Sequence, residues 1–225
     1  MFEHSIKNLY IGEYKEWAPW ENTIAYYPLT SSSTNNDESW NWHTLTNYNV
    51  SFWALSGVDC ATNSWNANLF CNLWLKISDY DFTINTWVYK TWGKNTWVIR
   101  SFWNPDSSSI YLAWTSWRSP YLAFWNTVIF SWASMSNNTW YNICCTYNSS
   151  TLTGKIYING QLSASSTLSS ALSVWDNNVW LLNGSWVGRD DSLYGWLSRT
   201  IIEKTERSDT DTAMHYNVTK SNYWL

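Results

Sequence analysis

Residues 138–161 read NTWYNICCTYNSSTLTGKIYINGQ, and this stretch decides the fold. In an extended chain Trp140, Asn142, Cys144 and Thr146 share one face, while Tyr141, Ile143, Cys145 and Tyr147 share the other. Aromatic and β-branched side chains suit such a pleated surface. Residues 148–154 are small and polar and end in Gly154, which returns the chain into a second strand over residues 155–158. Asn159-Gly160 is a second turn signal, because both residues tolerate positive φ. The stretch is a complete hairpin with a further turn attached.

The same pattern runs outward in both directions. Residues 82–89, FTINTWVY, set Phe82, Ile84, Thr86 and Val88 against Thr83, Asn85, Trp87 and Tyr89, as a central strand does. Residues 22–29 form an opening strand, and Pro28 restricts it to a sheet edge. Residues 31–47 are a polar loop, followed by strands over 50–55 and 68–77, with Leu73, Leu75 and Ile77 turned to one side. Short strands follow at 97–102, 110–114, 121–124 and 128–130, then at 171–174 and 179–182, and residues 194–202 close the domain beside its first strand. Short strands and turns without helical periods between them are the all-β signature. One helix is expected over 208–220, capped by Ser208 with Asp209 and Asp211 at its positive end.

The Trp-Tyr strand at 140–141, its short loop and the Lys-Ile-Tyr-Ile-Asn-Gly return at 155–160 resemble the central hairpin of the laminin-G-like (concanavalin A-like lectin/glucanase) jelly-roll family. Residues 82–88 are similar to that family's Phe-Thr-Ile-x-x-Trp-Val strand, and HYNVTKSNYWL at 215–225 resembles the tail of its bacterial and phage members. The resemblance covers residues 22–225. It implies an all-β, two-sheet antiparallel jelly-roll sandwich with a short C-terminal helix, preceded by an N-terminal strand and linker over residues 1–21. It further implies a non-catalytic carbohydrate-binding or adhesion module of a cell-surface or phage structural protein. Its partner would be a glycan or surface polysaccharide, its location extracellular or on a virion surface, and its state a homo-oligomer within a larger assembly. The alternative is a purely structural decoration of a virion or surface fibre. A glycoside hydrolase is a third reading.

On that fold the ligand is expected at a loop rim carrying Asp106, Asn126, Asp176 and Asn177. Relatives hold calcium at the sandwich rim, which implies Asp190 and Asp191 as its ligands here, since calcium takes hard oxygen donors. Loop aspartates also serve simply as turn formers. No other cofactor is expected.

Catalytic patterns are missing from the sequence. Glucanases on this fold carry carboxylates in a Glu-x-Asp-x-x-Glu type spacing, so that one attacks and the other donates a proton. Glu203 and Glu206 lack the intervening Asp and read as a solvated surface pair. His4, His43 and His215 stand in no metal-ligand spacing, and no Gly-x-Ser-x-Gly elbow occurs. The chain is expected not to be an enzyme.

At 225 residues the chain supports one sizeable sandwich core. A net charge of -4 with 13% charged residues, and no Lys/Arg cluster, argues against nucleic acid as a partner. No apolar run reaches the length of a membrane span, and the start Met1-Phe2-Glu3-His4 lacks a basic segment followed by an apolar one. Four cysteines are too few for a disulfide-built scaffold. Four half-buried thiols are the favoured reading, with a Cys60–Cys71 bridge as the alternative.

Tryptophan is the abnormal residue. There are 21 Trp and only 8 Gly, where average usage of about 7% gives roughly 16 Gly in a chain of this length. Most of the tryptophans have Ser, Asn, Asp, Thr or Gly beside them, as in Ser39-Trp40-Asn41-Trp42 and Ser64-Trp65-Asn66. Those are turn surroundings, which favour a residue without a Cβ. Trp87 and Trp140 behave oppositely and stand where the family carries Trp. The expectation is that most of the excess represents UGA codons that some bacterial lineages read as glycine. Exposed indoles are platforms for sugar rings, so this expectation withholds that argument for carbohydrate binding.

Overall fold

The computed structural model describes residues 10–11, 14–15, 22–62, 67–91, 96–101, 110–114, 119–124, 127–131, 133–172, 178–182, 195–223 and 225. Strands β1 (Tyr10–Ile11) and β2 (Tyr14–Lys15) pair with each other. The sandwich begins with β3 (Thr23–Tyr27), β4 (Thr46–Tyr48), β5 (Ser51–Leu55), β6 (Val58–Thr62) and β7 (Asn68–Asn72), then a 3-10 turn at Ile77–Asp79. Next come β8 (Phe82–Lys90), β9 (Thr96–Ser101), β10 (Ile110–Trp114), β11 (Pro120–Phe124) and β12 (Thr127–Phe130). The chain ends with β13 (Thr139–Asn148), β14 (Thr153–Ile158), β15 (Gln161–Thr167), β16 (Asn178–Leu181), β17 (Gly195–Glu203), helix α1 (Asp209–Thr219) and a 3-10 turn at Lys220–Tyr223.

Two antiparallel sheets form. One runs β12-β11-β10-β9-β16-β7-β4; the other runs β15-β14-β13-β8-β17-β6-β5, with β3 also against β17. The last strand therefore does lie beside the first strand of the sandwich, with Ile201 opposite Tyr26. Burial follows the alternation of the organising hairpin. Ile143, Cys145 and Tyr147 join Phe82, Ile84 and Val88 in the core between the sheets, and Tyr141 packs against it. Trp140, Asn142, Cys144 and Thr146 are buried on the outer face, where α1 and the tail cover them.

That second, outer layer has its own core. Trp87 lies flat on Tyr223, with ring centroids 3.8 Å apart and planes at 8°, and stacks on Tyr216 at 5.9 Å. Its indole N–H donates to Thr219 Oγ1 at 3.2 Å. An indole of this size removes about 200 Å² from water, worth about 5 kcal/mol before entropy is counted. Beneath the helix Asn142 Nδ2 donates to Asn85 Oδ1 at 2.9 Å, and Asn142 N donates to Asn159 Oδ1 at 3.0 Å. The Asn159-Gly160 turn thereby docks α1: a Cβ on Gly160 would lie 2.9 Å from Tyr216 Cβ and 3.0 Å from Ala213 Cα. Ser208 caps α1 as expected, its Oγ accepting from Asp211 N at 3.1 Å.

Several readings are corrected. Glu203 is not a solvated surface residue but fully buried, its carboxylate held by Arg207 Nε at 2.8 Å and by Arg207 Nη2. Burial is the largest influence on this carboxyl and pushes its pKa up, with Arg207 pulling it down. Glu206 stays at the surface, accepting from Asn148 Nδ2 and paired with Lys155. The second of the two strands after the polar loop stops at Asn72; Leu73 is buried from irregular backbone and Ile77 from the 3-10 turn. Strand β4 takes Thr46 and Asn47 from the expected loop, and β6 and β15 were not expected at all. Ala171 and Leu172 are not strand, and residues 173–174 of that expected element lie outside the described residues. All four thiols are free, as favoured over a Cys60–Cys71 bridge, but they are buried rather than half-buried.

Candidate functional site

The order of the seven-stranded sheet gathers one set of strand ends. Ile110 faces Ser101 on one side and Phe124 on the other, and Phe124 faces Thr127. The end of β9, the start of β10, the end of β11 and the start of β12 thus share one end of the sheet. Trp180 opposite Arg100 puts the start of β16 there too, and Asn178 opposite Asn72 adds the end of β7. Thr46 opposite Phe70 brings the connection from β3 into β4 to the same end.

The expected ligand-binding residues belong, in chain order, to connections that join these strand ends. Asp106 falls between β9 and β10, Asn126 between β11 and β12, and Asp176 and Asn177 just ahead of β16. All four lie outside the described residues, as do Asp190 and Asp191, which fall in the β16 to β17 connection. That connection leaves from the opposite end of β16.

The described part of the rim is the connection between β3 and β4, and Asp37 organises it. Its Oδ1 accepts from Tyr26 N and Ser39 N, both at 2.9 Å, and its Oδ2 accepts from His43 N at 3.0 Å. Asn41 Nδ2 donates to the carbonyls of Thr23 at 2.7 Å and Ile24 at 3.0 Å, sewing the loop to β3. This is what a Ser/Asn/Asp-rich stretch does: its short polar side chains stand in for missing backbone partners. Below it, Tyr27 OH donates to His43 O at 2.7 Å and meets Cys71 Sγ at 3.0 Å. Burial, the largest cause, pushes the Cys71 thiol up to about 12. It is therefore a neutral packing group rather than a nucleophile.

His43 is buried, and the ring of Trp74 sits edge-on to it at 5.2 Å. Burial lowers the imidazole pKa, with Asp37 working against it, so the ring is neutral at pH 7 and offers one donor and one acceptor. Nδ1 has no hydrogen-bond partner. Trp74 is 71% exposed, and the loop that carries His43 holds two further exposed indoles, Trp40 at 78% and Trp42 at 77%. The Ser-Trp-Asn-Trp-His run marks this loop as turn-rich, but in the sequence His43 stands in no metal-ligand spacing, and Trp74, between Leu73 and Leu75, carries no turn signal. Among the described residues no group of three or more His, Cys, Asp or Glu could hold a metal ion.

A second concavity of about 560 Å³ lies between the start of β15 and α1, bounded by Gln161, Leu162, Asp209, Thr210, Ala213 and Met214. It has no aromatic wall. No helix among the described residues is long and apolar enough to cross a membrane, which says nothing of β-barrels.

No curated protein matches the chain in sequence. Solved structures do match in fold. The receptor binding domain of botulinum neurotoxin type G superposes with a TM-score of 0.68 at 20% identity, over 88% of this chain and 51% of that one. The binding domain of botulinum neurotoxin DC in complex with SialylT gives 0.66 at 14%, over 88% and 51%. The chain thus spans about half the length of these toxin domains. Domain 4 of AbnA, a GH43 extracellular arabinanase from Geobacillus stearothermophilus in complex with arabinotriose, gives 0.65 at 12%, over 85% of this chain and 97% of that one. At these identities the likeness is one of fold. The family model for the concanavalin A-like lectin/glucanases superfamily matches residues 68–211, most of the sandwich, and the chain belongs to that superfamily.

Proposed function

We propose that this chain is a non-catalytic glycan-binding or adhesion module, borne on a cell surface or as a spike or tail component of a virion. The observation that carries the reading is the convergence of five connections at one end of the seven-stranded sheet, those holding His43, Trp74, Asp106, Asn126 and Asp176. Convergent polar groups on a rigid sheet end are what orients a sugar's hydroxyls. The arabinanase domain that holds arabinotriose is nearly the same length of chain on the same fold, which supports an oligosaccharide as ligand. The proposal includes a bacterial or phage origin, with UGA read as glycine at most of the excess tryptophans.

A glycan array probed with the purified domain tests the function. Binding to a defined glycan set, lost in Asn126→Ala and Asp176→Ala with the melting point unchanged, is the expected result. Binding that survives both substitutions removes the rim from the reading. Absence of binding to every glycan, with intact assembly into a larger particle, replaces it by the structural role.

A further inference from the structure

We infer that the protein as its host makes it carries glycine at positions 40, 42 and 74 and tryptophan at 87 and 140, so that the ligand rim is a polar loop surface and not an aromatic platform. Backbone angle and burial together separate the two groups. Trp40, Trp42 and Trp74 have φ of 70°, 63° and 56°, in the left-handed region where a Cβ crowds the following carbonyl. Of the eight other described non-glycine residues there, six have a visible reason; the exposed Ser56 and the half-buried Arg199, at φ 50° and 44°, are the other two. Leu29 and Leu182 have φ of 57° and 72° with fully buried side chains, so core burial offsets the conformation. Leu152 packs partly against the core, and Asn49, Asn138 and Asn159 are of the type that tolerates it. The three tryptophans are more than two-thirds exposed. No burial compensates their backbone.

Trp74 is the informative case. Its neighbours are Leu73 and Leu75, so the polar turn context that marks Trp40 and Trp42 is absent, and only the backbone reveals it. Asn72 Oδ1 accepts from Trp74 N at 2.7 Å, closing a tight turn straight after β7. Trp87 and Trp140, by contrast, are 0% and 4% exposed in regular strands, ringed by Tyr89, Tyr216 and Tyr223. Glycine there would empty the outer core.

The inference also changes the site. With glycine at 74 the ring that stands edge-on to His43 is gone, and the imidazole loses its aromatic neighbour. Glycine at 40 and 42 leaves backbone amides, not indoles, in the same loop.

Two measurements test this independently of whether any glycan binds. Made in a standard-code host, the triple variant Trp40→Gly/Trp42→Gly/Trp74→Gly should melt roughly 5–15 °C above the chain as written, given the usual left-handed penalty and a domain of this size. The matching triple alanine variant, which also removes the rings but keeps each Cβ, should recover less than half of that gain. Trp87→Gly and Trp140→Gly should each lower the midpoint. Equal gains from alanine and glycine, or no gain from glycine, would overturn the backbone argument. Peptide mass spectrometry of host-made protein is expected to find glycine at 40, 42 and 74, and tryptophan at any of them would sink the inference.

Discussion

Gly160 offers the sharpest test of how the helix is held. It stands at φ 75° in the turn that follows β14, and an added Cβ would meet the backbone of α1 at Ala213 and the Cβ of Tyr216. Gly160→Ala therefore carries two costs. The left-handed conformation costs about 1–2 kcal/mol for a residue with a Cβ, and forcing a methyl against a packed helix adds about 1–3 kcal/mol. The sum is about 2–5 kcal/mol, a large part of the roughly 5–15 kcal/mol that holds a typical domain folded. Gly57, at φ 82° in the exposed turn between β5 and β6, isolates the first cost, so Gly57→Ala should lose only about 1–2 kcal/mol. Urea unfolding measures both. With a slope near 3 kcal/mol/M the midpoint should fall by roughly 0.7–1.7 M for Gly160→Ala and by about half a molar for Gly57→Ala. Equal losses in the two variants would refute docking of α1 on the turn.

Arg207→Met should cost about 3–5 kcal/mol in the same assay, because it strands the buried Glu203 carboxylate without its partner; replacing both residues with apolar ones should recover much of that. His215 is fully buried, and its pKa is lowered from the ordinary 6.5 first by burial and then by Arg199 and Arg207. The unfolded chain therefore binds this proton near pH 6.5 while the folded one does not, so stability falls as pH drops below that value. The loss at pH 5.5 should be about 1.4 kcal/mol, and urea midpoints for His215→Gln should show a flatter profile over pH 7.5 to 5.5. Trp74→Gly should raise the His43 pKa toward its ordinary value, since burial is the main cause of its lowering and Asp37 already pulls upward; imidazole NMR titration reads it directly.

The core-facing elements were legible because burial forces a pattern. Phe82, Ile84 and Val88 alternate because every second residue enters the space between the sheets. Strand β15 lacks that pressure: only Leu162 and Ala164 are apolar in it, its side chains are exposed or half-buried, and backbone pairing to β14 alone makes it a strand. Strand β4 is exposed at all three positions. The Glu203 and Arg207 pair was hidden for another reason. Only the bend after β17 turns a four-residue spacing into a buried contact. The rim was half legible: polar loops were visible, but their convergence depends on β9, β16, β7 and β4 lying side by side out of chain order.

The place of β17 bears on how the molecule is made. Residues 195–203 sit in the middle of their sheet, between β8 on one side and β6 with β3 on the other, although among the described strands they come last in chain order. Until they emerge, the nascent chain has β8 with one long edge open, and no local rearrangement can close it. Synthesis must therefore shelter a half-built sheet until residue 203 has emerged, and a chain broken off near residue 195 would carry a gap at the centre of this sheet rather than a shortened edge.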